Sequence, residues 1–241
     1  MMKSLFLCIC AAISCVLLLS NCQKQTVTKT VYVADTSLKT LVLQPGPDEG
    51  QNTIVNSSSI YAALNINSNP DINAGAWTYS AQGGTEGIGR TYIKFIGLDG
   101  MPDSAIIVSA KLSLFGISVG TAAPQGNSGY PGSPYAMDNQ CWLKRVTSDW
   151  NPDSVTWNNA PGTADLDEVQ IPASTSQWND DATDIDVTAL INDLLNTRNY
   201  GFVMELQTEQ TYRSLSFASC KVADSTRRPK LVVTYQLVGV R

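Results

Sequence analysis

Apolar and polar residues alternate with a period of two in several short runs, the signature of strands buried on one face. In Thr91-Tyr92-Ile93-Lys94-Phe95, Ile93 and Phe95 share one face and Tyr92 and Lys94 the other. Residues 106–115 repeat the pattern with Ala110, Leu112 and Leu114 inward. Further strands are predicted at 141–146, 202–206, 214–218 and 230–236, with weaker ones at 53–55, 60–64, 169–171 and 183–185. Turns rich in Gly, Pro, Asn and Asp separate them, which predicts an all-β sandwich or jelly roll. One segment breaks the rhythm. Val187, Leu190, Ile191, Leu194 and Leu195 fall at helical spacing and predict one short amphipathic helix over about 187–196. Asp186 or Asp184 is placed to cap it, and the helix is expected to close one end or edge of the sandwich.

The N-terminus has a different pattern. After Lys3 comes an apolar run of roughly 15 residues, too short to span a bilayer comfortably and typical of an export signal. It ends in Leu17-Leu18-Leu19-Ser20-Asn21-Cys22, which resembles the lipobox of bacterial lipoproteins, with Asn21 where Gly or Ala is usual. That resemblance implies a signal peptide over 1–21, diacylation of Cys22, and a membrane-tethered product in the cell envelope, with the outer membrane the expected site. Residues 23–40, polar and Thr-rich apart from Val31–Val33, are read as the tether, and 41–241 as the folded domain.

Composition narrows the classes. The net charge is −5, and loss of Lys3 makes it −6, which excludes nucleic acid as a partner and an electrostatic grip on anionic lipid. The chain has no histidine, so Ser-His-Asp catalysis and His-containing zinc sites are excluded. Beyond the signal and Cys22, the cysteines are Cys141 and Cys220, read as either a disulfide or two buried thiols.

Several stretches, taken in order, resemble the DNRLRE-type domain of secreted bacterial proteins. They are residues 43–50, Arg90 to Phe95, 102–115, Trp150 with Val155-Thr156-Trp157-Asn158-Asn159-Ala160-Pro161, Asp186-Val187-Thr188, Asn199-Tyr200-Gly201-Phe202 and 228–235. The set covers about 41–236. Ile96 replaces the family's usual acidic residue, and the name-giving hexapeptide is absent. The resemblance implies a jelly-roll module related to alginate-binding carbohydrate-binding modules. Trp157 and Trp150 read as core residues.

Candidate chemistry follows from side-chain type. Flat aromatic faces suit the apolar side of a pyranose. Trp77, Tyr79, Tyr130 and Tyr135 are the chosen platform residues among candidates that include Trp142 and Trp178; Tyr130 and Tyr135 sit in the long Gly/Pro/Ser-rich connection over 116–139. An alginate-like uronate polymer would also need Arg90, Lys94 or Arg213 nearby. Calcium, the expected cofactor if there is one, would take Asp48, Glu49 and Asp71, or the later carboxylates at 180, 181, 184 and 186, which otherwise read as solvated turns and a helix cap. No spacing singles out a catalytic pair. The sequence therefore points to a lipid-anchored, non-catalytic polysaccharide-binding module, with a structural or adhesion domain engaging another envelope protein as the alternative.

Overall fold

The computed structural model describes residues 32–117, 139–175 and 180–240. In chain order the strands are β1 (Tyr32–Leu43), β2 (Gly50–Asn56), β3 (Asp71–Trp77), β4 (Gly87–Phe95), β5 (Ala105–Leu114), β6 (Cys141–Val146), β7 (Thr163–Ile171) and β8 (Ala182–Asp186), then helix α1 (Thr188–Asn196), β9 (Phe202–Leu206), β10 (Arg213–Ala218) and β11 (Lys230–Val240). They form two antiparallel sheets. One runs β1-β11-β5-β8; the other runs β10-β3-β4-β9-β6-β7, with β2 also paired to β4. The sequence-predicted β-sandwich is what the chain adopts.

Side chains that alternate inward from both sheets meet in one core. Ala110, Leu112, Leu114, Leu231 and Val233 come from the four-stranded sheet; Ile72, Ile93, Phe95, Phe202, Leu143 and Phe217 come from the larger one. Truncating a fully buried ring such as Phe95 to Ala should cost about 3–5 kcal/mol. The α1 stripe joins this core through Leu190, Ile191 and Leu194. Asp186 accepts from the Thr188 backbone N–H at 3.0 Å, satisfying a donor at the helix start. Asp184, the other candidate, lies in left-handed backbone with φ 55°.

A second apolar cluster sits on the other face of the larger sheet, where Tyr92 and Val203 point away from the main core. Val55, Val146, Trp150 and Val155 complete it. Trp150 is buried and its indole N–H donates to the Tyr200 carbonyl at 2.8 Å. Trp157 is a correction: it does not plug the space between the sheets, but lies half-buried against this outer cluster. Asn159 behaves as expected, its carboxamide accepting from the Thr156 N–H at 2.6 Å.

The structure differs from the sequence reading at β1 and at residues 60–64, and it decides between the two states left open for the cysteines. The sheet begins at Tyr32, inside the segment read as tether, because β1 pairs along β11 as an edge strand whose exposed positions include Ser37 and Thr40. Residues 60–64 form turns, not a strand; Tyr61 and Ala62 N–H groups both donate to the Ser58 carbonyl at 2.8 Å. Cys141 and Cys220 are buried free thiols, not a disulfide. Cys141 sits on β6 against Leu206 and Ile171, whereas Cys220 follows β10 and packs on Gly50, and β3, β4 and β9 lie between those strands. A disulfide needs Cα atoms within about 7 Å.

Candidate functional site

Gly75 and Gly89 face each other where β3 pairs with β4 and leave a stretch of sheet without side chains of its own. The space is tight. A Cβ at Gly75 would lie 3.2 Å from the Ser214 side chain, and one at Gly89 3.1 Å from Asn73 Oδ1. Beside this floor the chain leaves β3 through Trp77 and turns at Tyr79, and both rings are half-buried. Each is propped by a second aromatic ring. Trp77 meets Tyr212 edge-on, centroids 5.3 Å apart at 86°, and Tyr79 meets Tyr61 at 5.1 Å and 74°. Edge-to-face contacts of this kind fix ring orientation. Asn56 Nδ2 also donates to the Tyr79 hydroxyl at 2.8 Å. Burial, the dominant cause, pushes the Tyr79 phenol above its ordinary range, so the hydroxyl stays neutral and can still donate.

Trp77, Tyr79, Asn73, Ser214 and Arg213 line a cleft of about 130 Å³ over this floor. Arg213 is its one charged lining residue and is only 6% exposed. The cleft thus presents two fixed aromatic faces with amide and hydroxyl groups beside them, a set that suits a sugar ring; Arg213 pairs with the inward-facing Ala76, on the other face of the sheet from Ser214 and Gly75. Its aromatics recurred in the sequence reading; its props did not. Tyr61, Tyr212 and Asn56 were missed because each reaches Trp77 or Tyr79 across strands, and nothing local marks them.

Arg90, another of the cations proposed for a uronate, is held by two glutamates, and the neighbouring Lys144 by acidic side chains as well. Arg90 Nε lies 2.8 Å from Glu209 and 3.3 Å from Glu205, and its guanidinium sits 5.2 Å above the Trp157 ring. Lys144 bridges Asp165 at 2.8 Å and Glu205 at 3.0 Å. Burial alone would lower the Lys144 amine, but the Asp165 and Glu205 hydrogen bonds win and hold it above its ordinary value. Lys94 is half-buried on β4.

Asp48 and Glu49 are exposed in the turn after β1, while Asp71 is buried at the start of β3, where desolvation pushes its carboxyl up. Among the described residues no three His, Cys, Asp or Glu side chains gather closely enough to hold a metal ion. Tyr130, Tyr135, Trp178 and Cys22 lie outside the described residues. No helix among the described residues is long and apolar enough to cross a membrane.

The model of carbohydrate-binding module family 96 matches residues 63–235. That span contains Trp77, Tyr79, Tyr212, Arg213 and both floor glycines. No curated protein matches the chain.

Proposed function

The chain belongs to carbohydrate-binding module family 96, and from that premise we propose that it is a lipid-anchored, non-catalytic glycan-binding protein of the bacterial cell envelope, resembling DNRLRE-type domains, whose binding surface is the Trp77–Tyr79 cleft. The observation that carries the reading is the pair of orthogonally braced rings over a glycine floor. Braced rings lose little side-chain entropy when a sugar stacks on them, so the surface is preorganised. An alginate-like uronate polymer is the first ligand to test. That choice follows the resemblance to alginate-binding modules; the cleft itself offers rings with amide and hydroxyl groups, which suit a neutral sugar as well.

The anchor reading rests on Cys22. Acylated there, the protein would stand on the membrane by two chains, with residues 23–31 before the first described strand. The outer membrane is the expected site. Affinity electrophoresis of the protein through gels containing alginate, or a neutral polysaccharide, tests the function. Retardation by at least one polysaccharide is expected; unchanged mobility in all of them would contradict it.

A second reading, adhesion to another envelope protein, has one observation in its favour. Leu38 and Val42 on β1, with Ile106 and Val108 on β5, are exposed on the four-stranded sheet. Recovery of a stoichiometric protein partner from envelope extracts, with no polysaccharide retention, would favour it.

A further inference from the structure

Away from the aromatic cleft, four chain segments converge on one ammonium group. Lys221 Nζ donates to the Asn52 carbonyl at 3.3 Å, and to both the carbonyl and the side-chain oxygen of Asn67. An ammonium has three N–H donors, and all three are used on uncharged oxygens. Asp153 stands close enough to act on the Lys221 charge, and its carboxylate accepts from Asn67 Nδ2. Lys221, Asn67 and Asp153, with Asp48 and Gln51, line one polar cleft of about 210 Å³. Gln51 Oε1 is buried and has no hydrogen-bond partner.

The surrounding backbone is stitched to the same point. Ser219 donates through its backbone N–H to the Pro70 carbonyl at 2.9 Å and through its hydroxyl to the Asn69 carbonyl at 2.8 Å. Asn65 Nδ2 donates to the Pro152 carbonyl at 2.7 Å, tying in the 150s loop. Without a cation, this cluster would leave carbonyl, amide and carboxylate oxygens facing one another with too few donors.

We infer that Lys221 is the built-in cation of an oxygen cage of the kind that otherwise holds a hard metal ion, and that removing its amine hands the cage to calcium. Backbone carbonyls, side-chain amides and an aspartate are the donors calcium takes, with waters completing six to eight ligands. Asn52 and Asn67 supply the oxygens that the Lys221 ammonium occupies, Asp153 and Gln51 line the same cleft as further donors, and Lys221 keeps a metal out by holding the first of these. Burial, the larger effect, lowers the Lys221 amine from its ordinary value, while the Asp153 charge opposes that fall. The amine is thus costly to bury and is retained for its contacts.

The test compares the full chain, purified in detergent, as wild type, Lys221→Ala and Lys221→Met. Thermal unfolding is followed with EDTA and with millimolar calcium, and calcium binding by calorimetry. Wild type should unfold at the same temperature in both and bind no calcium at this cleft. Lys221→Ala should unfold about 5–10 °C lower in EDTA, recover at least half of that loss in calcium, and show one calcium-binding event. An Ala variant folded only with calcium is the same result in stronger form. Lys221→Met keeps the stem in the cage, so it should lose stability without calcium recovery. The inference is overturned if Ala gains no calcium response or stays unfolded in both conditions, if Met recovers equally, or if wild type itself shifts with calcium.

Discussion

Tyr212 stands edge-on to Trp77 at 86°, and it does so from left-handed backbone with φ 72°, a region a bulky residue enters only at a cost. Its backbone N–H donates to the Ala76 carbonyl at 2.8 Å, locking the residue beside β3. Strain of this kind persists where the surroundings demand it, and here it aims a ring at the cleft's platform.

Replacing Tyr212 separates strain from binding. Both Tyr212→Ala and Tyr212→Gly remove the prop, so each should weaken glycan affinity several-fold, up to about tenfold. The Gly variant should be about 1 kcal/mol more stable than the Ala variant, since glycine adopts positive φ freely. Denaturant unfolding and glycan titration together check this. Wild-type affinity in either variant would remove Tyr212 from the binding account.

Stability should fall in alkali through Tyr92. Its ring is buried in the outer cluster and its hydroxyl donates to the Pro161 carbonyl at 2.9 Å. Burial pushes the phenol from 10.0 up to about 12 in the folded chain. The folded value is raised, so the stabilisation is fully present below pH 10 and is lost as pH rises from there through about 12, where only the unfolded chain ionises at first. The full loss is about 2–3 kcal/mol. Tyr92→Phe should be about 1 kcal/mol less stable at neutral pH, for want of the hydrogen bond, yet show a flatter alkaline limb. A limb of unchanged steepness would contradict the assignment.

Much of this architecture was legible in alternation, and the omissions have physical reasons. β4, β6 and β9 announce themselves through large inward residues such as Phe95, Leu143 and Phe202. β3 does not, because its inward positions are Ile72, Ala74 and Ala76, and small alanines around Gly75 blur the contrast. The first part of β1 is an edge where Asp35, Thr36, Ser37, Lys39 and Thr40 blur the alternation, so it reads as tether. Ile60 to Leu64 looks apolar enough for a strand, but Ser58 starts a turn there. At the site, Trp77 and Tyr79 stood out as aromatics near polar residues. Tyr61, Tyr212 and the Lys221 cage depend on long-range register, which single-chain periodicity does not encode.

Both domain cysteines should behave as free, protected thiols. Burial pushes the Cys141 and Cys220 thiols above their ordinary range, which suppresses the reactive thiolate. Peptide mapping after alkylation should find neither residue labelled in the native protein, and both labelled after denaturation without reductant. A disulfide-linked peptide pair containing Cys141 and Cys220 would contradict the separation described above.

The anchor has its own test. In cells fed a tagged fatty acid, wild type should carry label, and Cys22→Ala should accumulate as unlabelled precursor. Equal labelling of both proteins, or none of wild type, would remove the lipoprotein reading. The sandwich should fold in either case, because the core residues described in both clusters lie beyond Cys22.

The central claim is that glycan binds on the braced Trp77–Tyr79 surface. The most direct measurement is the dissociation constant of wild type and Trp77→Ala for whichever polysaccharide retards the protein. Each stacked ring contributes on the order of 1–2 kcal/mol, so Trp77→Ala should weaken binding about fivefold to thirtyfold while thermal unfolding shows the sandwich intact. Binding by a folded Trp77→Ala variant at wild-type strength would contradict the account and place the glycan elsewhere on the protein.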